Sequence, residues 1–195
     1  MHCSPLIYNM FAHPKIATKF YKRYIFRKFR NFSDVLNKSV LDFGCGTGNN
    51  CFLFNPRLYL GIDIDSERVN FAKKLYPNYA FEVIEDGKIN IKNSSFDYIL
   101  ICGVLHHLSN KQISQYLEEF VRILKSKGKF IIFEPCFFPK SILGNWVMKT
   151  FDDGKYIRSK EDYLNLFDGK FRLKVYGKLR LYTLYNMLLF TSEKI

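Results

Sequence analysis

Short apolar runs separated by amphipathic stretches organise this chain, and that alternation is typical of strands followed by helices. The run at 39–43 predicts a buried strand, and the run at 59–65 predicts a second one. Apolar residues at helical spacing predict a helix over 66–76, which Pro77 ends because proline cannot continue a helix. A later apolar run at 129–134 predicts another buried strand.

Two helices further along the chain begin at capping boxes, in which a serine is followed three residues later by a polar partner. Ser109 with Gln112 marks the first helix, and Ser159 with Asp162 marks the second. The residues predicted to face the core from the first helix are Ile113, Tyr116, Leu117, Phe120, Val121 and Leu124. The remaining predictions are a stop for that helix at 127–128, an end of the second at about Phe167, and closing strands at 171–176 and 181–190.

Three alternating glycines, Gly44, Gly46 and Gly48, directly follow the first strand. Glycines let the backbone turn sharply and approach a ligand closely. The spacing differs from the Gly-x-Gly-x-x-Gly of dinucleotide enzymes, and the loop holds no lysine for a phosphate, so neither of those sites is predicted. The second strand ends in two acids, and an acid at this position can bind a ribose diol. Asp65 suits a helix cap, which leaves Asp63 for the ribose.

From about Ser39 to about Pro135 the sequence resembles the class I S-adenosylmethionine-dependent methyltransferases. The segment 42–48 is similar to the first motif of that family, 81–87 to the end of its third strand, and 95–108 to its fourth strand and active-site loop. The resemblance implies an α/β fold, namely a doubly wound, Rossmann-like, seven-stranded mixed sheet with an antiparallel last strand and helices on both faces.

The resemblance also implies S-adenosylmethionine as the cofactor. The glycine loop would wrap its methionine part, Asp63 would bind its ribose, and an acid after the third strand would contact its adenine amino group. Glu85 is the first choice for that acid, and Asp86 is the alternative. The full cofactor-binding set is Asp42, Gly44, Cys45, Gly46, Gly48, Asp63, Ile64, Glu85, Asp86, Cys102 and Gly103.

Length and composition predict a single domain over 1–195, because 195 residues that are 48% hydrophobic can bury one full core, and the resemblance implies that this is a methyltransferase domain. Its parts are an N-terminal helical lead at 1–38, the cofactor-binding core at 39–135, a substrate-side insert at 136–158, and a closing helix and strands at 159–195.

Five scattered cysteines without a Cys-x-x-Cys pair indicate a reducing compartment and neither a disulfide framework nor a metal site. The chain has no apolar run long enough for a membrane span and no signal-peptide pattern, so the cytoplasm is the expected location. The net charge of +12 is consistent with an acidic substrate, an anionic membrane or nucleic acid, but also with a simple compositional bias, which we favour.

Two segments outside the core hold candidate substrate contacts. The helical lead has a basic face, which is either solvated while the helix packs over the cofactor cleft or touches an anionic membrane surface. The insert is apolar with a basic end, as expected for either core packing or a pocket wall. The predicted substrate-binding residues are Tyr8, His106, Glu134, Trp146, Tyr156 and Arg158.

His107 is the candidate catalytic base, because histidine exchanges a proton near neutral pH and this one follows the fourth strand. The alternative is that His106 and His107 are loop residues that shape or pack the pocket. Cys136 follows a proline, as in enzymes that methylate cytosine, but the accompanying motif is absent, so we interpret it as a buried packing thiol.

The sequence therefore predicts methyl transfer to a small-molecule or lipid-like acceptor at oxygen, nitrogen or carbon. A methyltransferase acting on RNA is the alternative within enzymes, and nucleic acid is not the expected partner because no base-handling motif or RNA-binding domain accompanies the core. Among proteins that are not enzymes, the alternative is a regulator that binds the cofactor without catalysis.

Overall fold

The computed structural model describes residues 35–85, 88–169, 171–181 and 185–195. The chain divides into two compact units, residues 1–88 and 89–195. The predicted helical lead at 1–38 lies outside the described residues except for its last four positions, and Tyr8 is among those not described. Asp86 also lies outside the described residues. The single-domain boundaries stay a prediction.

Three parallel strands form the sheet of the first unit, in the order β3-β2-β1. They are β1 (Val40–Phe43), β2 (Tyr59–Asp63) and β3 (Ala80–Val83). Every residue of β1 is buried, as its apolar run predicts. The alternation of strand and helix places the ends of β1 and β2, with the residues that follow them, at one edge of this sheet.

Helix α1 (Ser66–Leu75) connects β2 to β3, and its start confirms the predicted cap. The Asp65 carboxylate accepts hydrogen bonds from the backbone nitrogens of Glu67 at 3.0 Å and Arg68 at 3.1 Å. Val69 and Ala72 are buried, whereas Leu75 in the last turn is exposed.

Two single turns of 3-10 helix follow the glycine loop, at Cys51–Leu53 and Pro56–Leu58. The first ends at Phe54, whose backbone is extended, and Pro56 begins the second, where its missing N–H costs nothing. The chain therefore passes from the loop to β2 without a full α-helix.

The second unit contains four long strands in the order β4-β5-β8-β7. They are β4 (Phe96–Cys102), β5 (Leu124–Phe137), β7 (Phe171–Leu181) and β8 (Tyr185–Lys194), and a two-residue strand, β6 (Arg158–Ser159), pairs with the end of β5. The β4 and β5 strands are parallel, whereas β8 runs antiparallel to both β5 and β7. The predicted antiparallel last strand is confirmed.

Helices α2 (Asn110–Ile123), α3 (Ile142–Phe151) and α4 (Lys160–Asn165) belong to the second unit. The capping boxes of α2 and α4 are confirmed, each with both reciprocal hydrogen bonds present. On α2 the predicted inward residues are buried except Val121, and Ile123, which the prediction omitted, is buried as well.

Two predicted boundaries in this unit are wrong. Helix α2 ends at Ile123 instead of at 127–128, because Leu124 is already extended and pairs with Phe96 of β4. The register then shifts, and β5 continues. The predicted strand at 181–190 is divided between β7 and β8, since Leu181 pairs with Tyr185 across the turn of a hairpin.

Candidate functional site

The glycine loop of the first unit folds back onto the end of β2. The backbone nitrogens of Gly44 and Cys45 both donate to the Ile62 carbonyl, at 2.8 and 3.0 Å, and Gly48 N donates to the Cys45 carbonyl at 2.9 Å. All three alternating glycines have positive φ, from 51° to 79°, which L-residues with side chains rarely adopt. The alternating glycines in the sequence therefore correspond to three positions at which the backbone has positive φ.

Two of these glycines have different surroundings. A Cβ on Gly48 would lie 2.9 Å from the Phe81 ring and 3.1 Å from the Ala72 Cβ, so this glycine allows the loop to pack on α1 and β3. A Cβ on Gly46 would meet nothing within 4 Å. Gly46 thus presents bare backbone to open space, which is the property required of a close ligand contact.

Asp63 fastens the loop to the strand end. One carboxylate oxygen accepts the Gly46 backbone N–H at 2.7 Å, and the other accepts the Asp65 backbone N–H at 2.9 Å. A carboxylate offers about four acceptor positions, so Asp63 retains capacity for a hydroxyl pair such as a ribose diol. Ile64 beside it is exposed and leaves an apolar surface next to the acid.

Asp42 is fully buried beneath the loop, within β1. The Tyr59 hydroxyl donates to its Oδ2 at 2.7 Å, whereas Oδ1 has no hydrogen-bond partner among the described residues. Burial raises the pKa of Asp42 to about 7, although the hydrogen bond from Tyr59 opposes that rise. An orphaned carboxylate oxygen beside an open backbone cradle fits a cofactor that carries a positively charged amino group.

The other predicted cofactor residues of this unit differ in accessibility. Cys45 is buried, and its Sγ would lie 3.0 Å from a Cβ placed on Gly61, so its thiol points into the unit. Glu85 is exposed and pairs with Lys88 at 3.3 Å. The thiol of Cys45 is therefore unsuited to a ligand contact, while the Glu85 carboxylate is open to one.

In the second unit, Glu134 of β5 organises the loop that follows β4. Its Oε1 accepts the backbone N–H groups of Val104 at 2.8 Å and Leu105 at 3.0 Å, and its Oε2 accepts that of His106 at 3.3 Å. The side chain is fully buried, and both oxygens are engaged within the protein. Glu134 therefore anchors the loop and is enclosed away from solvent.

His106 lies between two carboxylates. Its Nδ1 is 2.9 Å from Glu134 Oε2, and its Nε2 is 3.6 Å from an oxygen of Asp152, which follows α3. Burial acts to lower the pKa of His106, but the hydrogen bond and charge of Glu134, together with the charge of Asp152, outweigh burial and raise that pKa. The Tyr185 hydroxyl donates to the second Asp152 oxygen, which ties β8 to the same cluster.

Gly154 completes the enclosure of His106, since a Cβ at this glycine would overlap the imidazole ring. Asp152, Gly154 and Tyr185 were absent from the sequence predictions. Their only local signal is the turn-forming Asp-Asp-Gly segment at 152–154, which does not indicate the histidine it contacts.

His107 stacks at an angle on His106, with ring centroids 4.0 Å apart, and its surface is exposed. Partial desolvation by the surrounding atoms lowers the pKa of His107, and the charge of His106 lowers it further, although Asp153 and Asp152 act in the opposite direction. The pKa values of the adjacent histidines are thus shifted in opposite directions, upward for His106 and downward for His107.

Arg158 is buried against the same loop, and its guanidinium is fully engaged. It donates to the carbonyls of Leu105, Leu108 and Tyr156 and to the Asn110 side chain, over 2.7–3.1 Å. Tyr156 donates its backbone N–H to the His106 carbonyl at 2.8 Å, while its residue surface is exposed. These contacts give Arg158 a positioning role instead of the predicted contact with substrate.

The remaining predicted positions of this unit lie on and around β4 and β5. Cys102 ends β4, and Gly103 follows it with a φ of 67°. Trp146 lies on α3 and is exposed. Cys136 is buried, and burial raises the pKa of its thiol to about 12, which confirms the interpretation as a packing residue.

A family model described as a methyltransferase domain matches residues 40–128. In solved structures, an S-adenosylmethionine-dependent methyltransferase from Aquifex aeolicus has the same fold, with a TM-score of 0.70 over 99% of this chain and 100% of that one at 18% identity. The family match and the shared fold support the predicted class I S-adenosylmethionine-dependent methyltransferase. The predicted family, fold class and methyl donor are confirmed.

Three relatives of this chain carry different acceptor names. It is 34% identical over 129 residues to a tRNA (carboxymethyluridine(34)-5-O)-methyltransferase of Schizosaccharomyces pombe, covering 63% of this chain and 54% of the relative. It is 31% identical over 114 residues to the ubiquinone/menaquinone biosynthesis C-methyltransferase of Rickettsia prowazekii, covering 51% and 45%. A fatty-acid O-methyltransferase of Mycolicibacterium smegmatis is 27% identical over 105 residues, covering 51% and 38%.

The chain spans about half the length of these relatives or less. Their acceptors are a tRNA nucleoside, a quinone precursor and a fatty acid by name, so the relatives do not select one acceptor class. Within the described ranges no helix is both long enough and apolar enough to cross a membrane. The cytoplasmic location stays a prediction.

Proposed function

We propose that this protein transfers the methyl group of S-adenosylmethionine to a small-molecule or lipid-like acceptor. The observation that carries the proposal is the Asp63 carboxylate, which holds the Gly46 N–H at 2.7 Å beside backbone open to a ligand. A bound S-adenosylmethionine supplies an activated methyl group on a sulfonium. The protein then has to bind that donor, align an acceptor with it and exclude water.

The residues proposed to hold the donor in the first unit are those of the loop and the two strand ends. The backbone around Gly46 approaches the methionine portion, Asp63 accepts hydrogen bonds from the ribose hydroxyls, and Ile64 offers an apolar surface. Glu85, exposed after β3, accepts a hydrogen bond from the adenine amino group. For Cys102 and Gly103 of the second unit, the predicted cofactor contact stays an expectation from the family resemblance.

His107 is proposed as the general base for an acceptor hydroxyl or protonated amine. Its lowered pKa keeps the imidazole neutral at physiological pH, so it can accept a proton. His106 does not compete for this role, because carboxylates face both of its nitrogens. Glu134, His106 and Arg158 hold the loop that carries His107 in one conformation.

The exposed apolar side chains of α3 favour an acceptor with an apolar part, as do the relatives named for a fatty acid and for ubiquinone/menaquinone biosynthesis. Methylation of tRNA is the second candidate, favoured by the 34% identity to the tRNA methyltransferase and by the net charge of +12. Binding to RNA would weaken steeply as salt increases, since counterions are released from the phosphates.

Donor binding is tested by calorimetry with S-adenosylhomocysteine on two aspartate variants. Asp63→Ala is expected to weaken binding by on the order of a hundredfold, because it removes a charged acceptor and releases Gly46. Asp65→Ala is the matched control: it removes the cap of α1, costs about 1 kcal/mol of stability and leaves affinity unchanged. Equal affinities for wild type and Asp63→Ala would remove Asp63 from the site.

The acceptor class is tested by transfer of radiolabelled methyl groups to fatty acids, quinone precursors and unmodified tRNA, each offered separately. Label in an organic-extractable product supports the proposal, and label in tRNA supports the second candidate. Binding of donor without transfer to any acceptor in a cell extract supports a regulator without catalysis.

A further inference from the structure

Helix α3 carries the largest group of exposed apolar side chains among the described residues. Ile142 is 83% exposed, Leu143 59%, Trp146 57% and Phe151 76%. The Trp146 and Phe151 rings contact each other edge to face, with centroids 6.3 Å apart. Gly144 and Met148, on the opposite side of the helix, are buried. The helix is thus anchored by one side and presents an apolar surface, here called the α3 patch, on the other.

Cationic side chains surround the α3 patch. Lys140 and Lys149 are exposed at either end of the helix, and Lys155 is exposed shortly after it. The Lys149 ammonium lies over the Phe137 ring, 5.5 Å from its centroid, so a cation stands next to an aromatic side chain near the end of the helix. Asp153 is the exposed acid in this part of the chain.

We infer that the α3 patch docks onto an anionic lipid surface. Aromatic and aliphatic side chains on one face of a helix, with lysines at its margin, are the combination that binds the boundary between lipid headgroups and acyl chains. The helix has 10 residues, so it can lie in the interface but is too short to cross a bilayer.

Charge favours lipid over a second copy of this chain as the occupant of the patch. Two chains, each with a net charge of +12, repel each other, and dimerisation through the patch would bring its lysines together. An anionic membrane instead attracts each lysine near its surface. The residues of the α3 patch are different from those of the 1–38 segment, for which membrane contact was one of two interpretations of the sequence.

Trp146 allows a direct test, because it is the only tryptophan in the chain. The full-length protein, without donor or acceptor, is titrated with phosphatidylcholine vesicles that contain or lack phosphatidylglycerol. We expect Trp146 emission to shift to shorter wavelength and to be quenched by brominated acyl chains only with the anionic vesicles. High salt should weaken binding, since it screens the lysines.

The matched variants are Ile142→Glu and Ile195→Glu, which place the same charge at positions that are 83% and 81% exposed. Ile195 directly follows β8, at the opposite end of that strand from Tyr185. Tyr185 is the β8 residue whose hydroxyl donates to Asp152, which follows α3. Ile142→Glu should reduce vesicle partitioning by at least about tenfold, because it removes an aliphatic side chain that inserts into the lipid and adds a charge repelled by the lipid. Ile195→Glu should leave partitioning unchanged. Leu143→Glu replaces the first variant if circular dichroism shows that Ile142→Glu is unfolded.

Three results would overturn the inference. The first is no binding to anionic vesicles. The second is vesicle binding without any change in Trp146 emission, which would assign the membrane contact to another surface. The third is a blue shift of Trp146 that depends on protein concentration without lipid, which would assign the patch to a second copy. Because no methyl transfer is measured, these outcomes are independent of the proposed function.

Discussion

Replacing Asp42 by asparagine should stabilise this protein at alkaline pH and lose that advantage in acid. Asp42 is fully buried, and burial raises its pKa from 3.8 to about 7. The folded state therefore binds a proton more tightly than the unfolded state does. A group whose pKa is raised by folding contributes stability below its unfolded pKa, and that contribution is lost as the pH rises through the folded pKa.

The size of the effect follows from the shift. Each pKa unit corresponds to about 1.4 kcal/mol, so a shift from 3.8 to about 7 makes ionised Asp42 cost roughly 4 kcal/mol at high pH. Part of that cost is already present at pH 5, and the change between pH 5 and pH 8 is about 2–3 kcal/mol. Asparagine keeps an oxygen for the Tyr59 hydroxyl but buries an amide N–H₂ without a partner, which costs about 1–3 kcal/mol at every pH.

The difference in free energy of unfolding between Asp42→Asn and wild type should therefore rise by about 2–3 kcal/mol in favour of the variant from pH 5 to pH 8. Urea titrations followed by far-ultraviolet circular dichroism at the two pH values measure it. Asp65→Asn is the control, because asparagine at that cap retains an acceptor oxygen for the backbone nitrogens of Glu67 and Arg68. A difference that stays constant with pH would refute a neutral, buried Asp42. The same variant measured with S-adenosylhomocysteine tests whether its carboxylate contributes to donor binding.

Two further predictions concern the loops. Gly48→Ala should destabilise the fold by about 2–4 kcal/mol, because it combines left-handed backbone strain with overlap on Phe81. Gly46→Ala should cost only the strain, about 1–2 kcal/mol. Urea unfolding of both variants measures these losses of stability, and equal losses would contradict the difference in the surroundings of the two glycines. His107→Asn should reduce kcat by on the order of a hundredfold. Because folding lowers the pKa of His107, wild-type kcat/KM should fall with acid only below the ordinary histidine pKa of 6.5. An unchanged kcat in the variant would show that His107 is only a loop residue.

The parts of this protein that could be predicted from sequence depend on neighbouring residues. The glycine loop needs positive φ at three positions, the capping boxes join residues three apart, and Asp65 caps the helix that begins one residue later. Each signal lies within a few residues of the structure it specifies. The boundaries that were wrong, at the end of α2 and at the β7–β8 hairpin, were decided by strand pairing with distant residues.

By itself, then, the sequence determined the local elements of the predicted donor site: a strand, a turn that needs glycine at three positions, and an acid at the end of the next strand. Tertiary structure alone decided the opposite pKa shifts of the two histidines. Glu134 reaches the loop across 28 to 30 residues of chain, and Asp152 approaches from the end of α3. Desolvation and opposing charges at such separations depend on how the strands pair, so no local pattern distinguishes the raised pKa of His106 from the lowered pKa of His107.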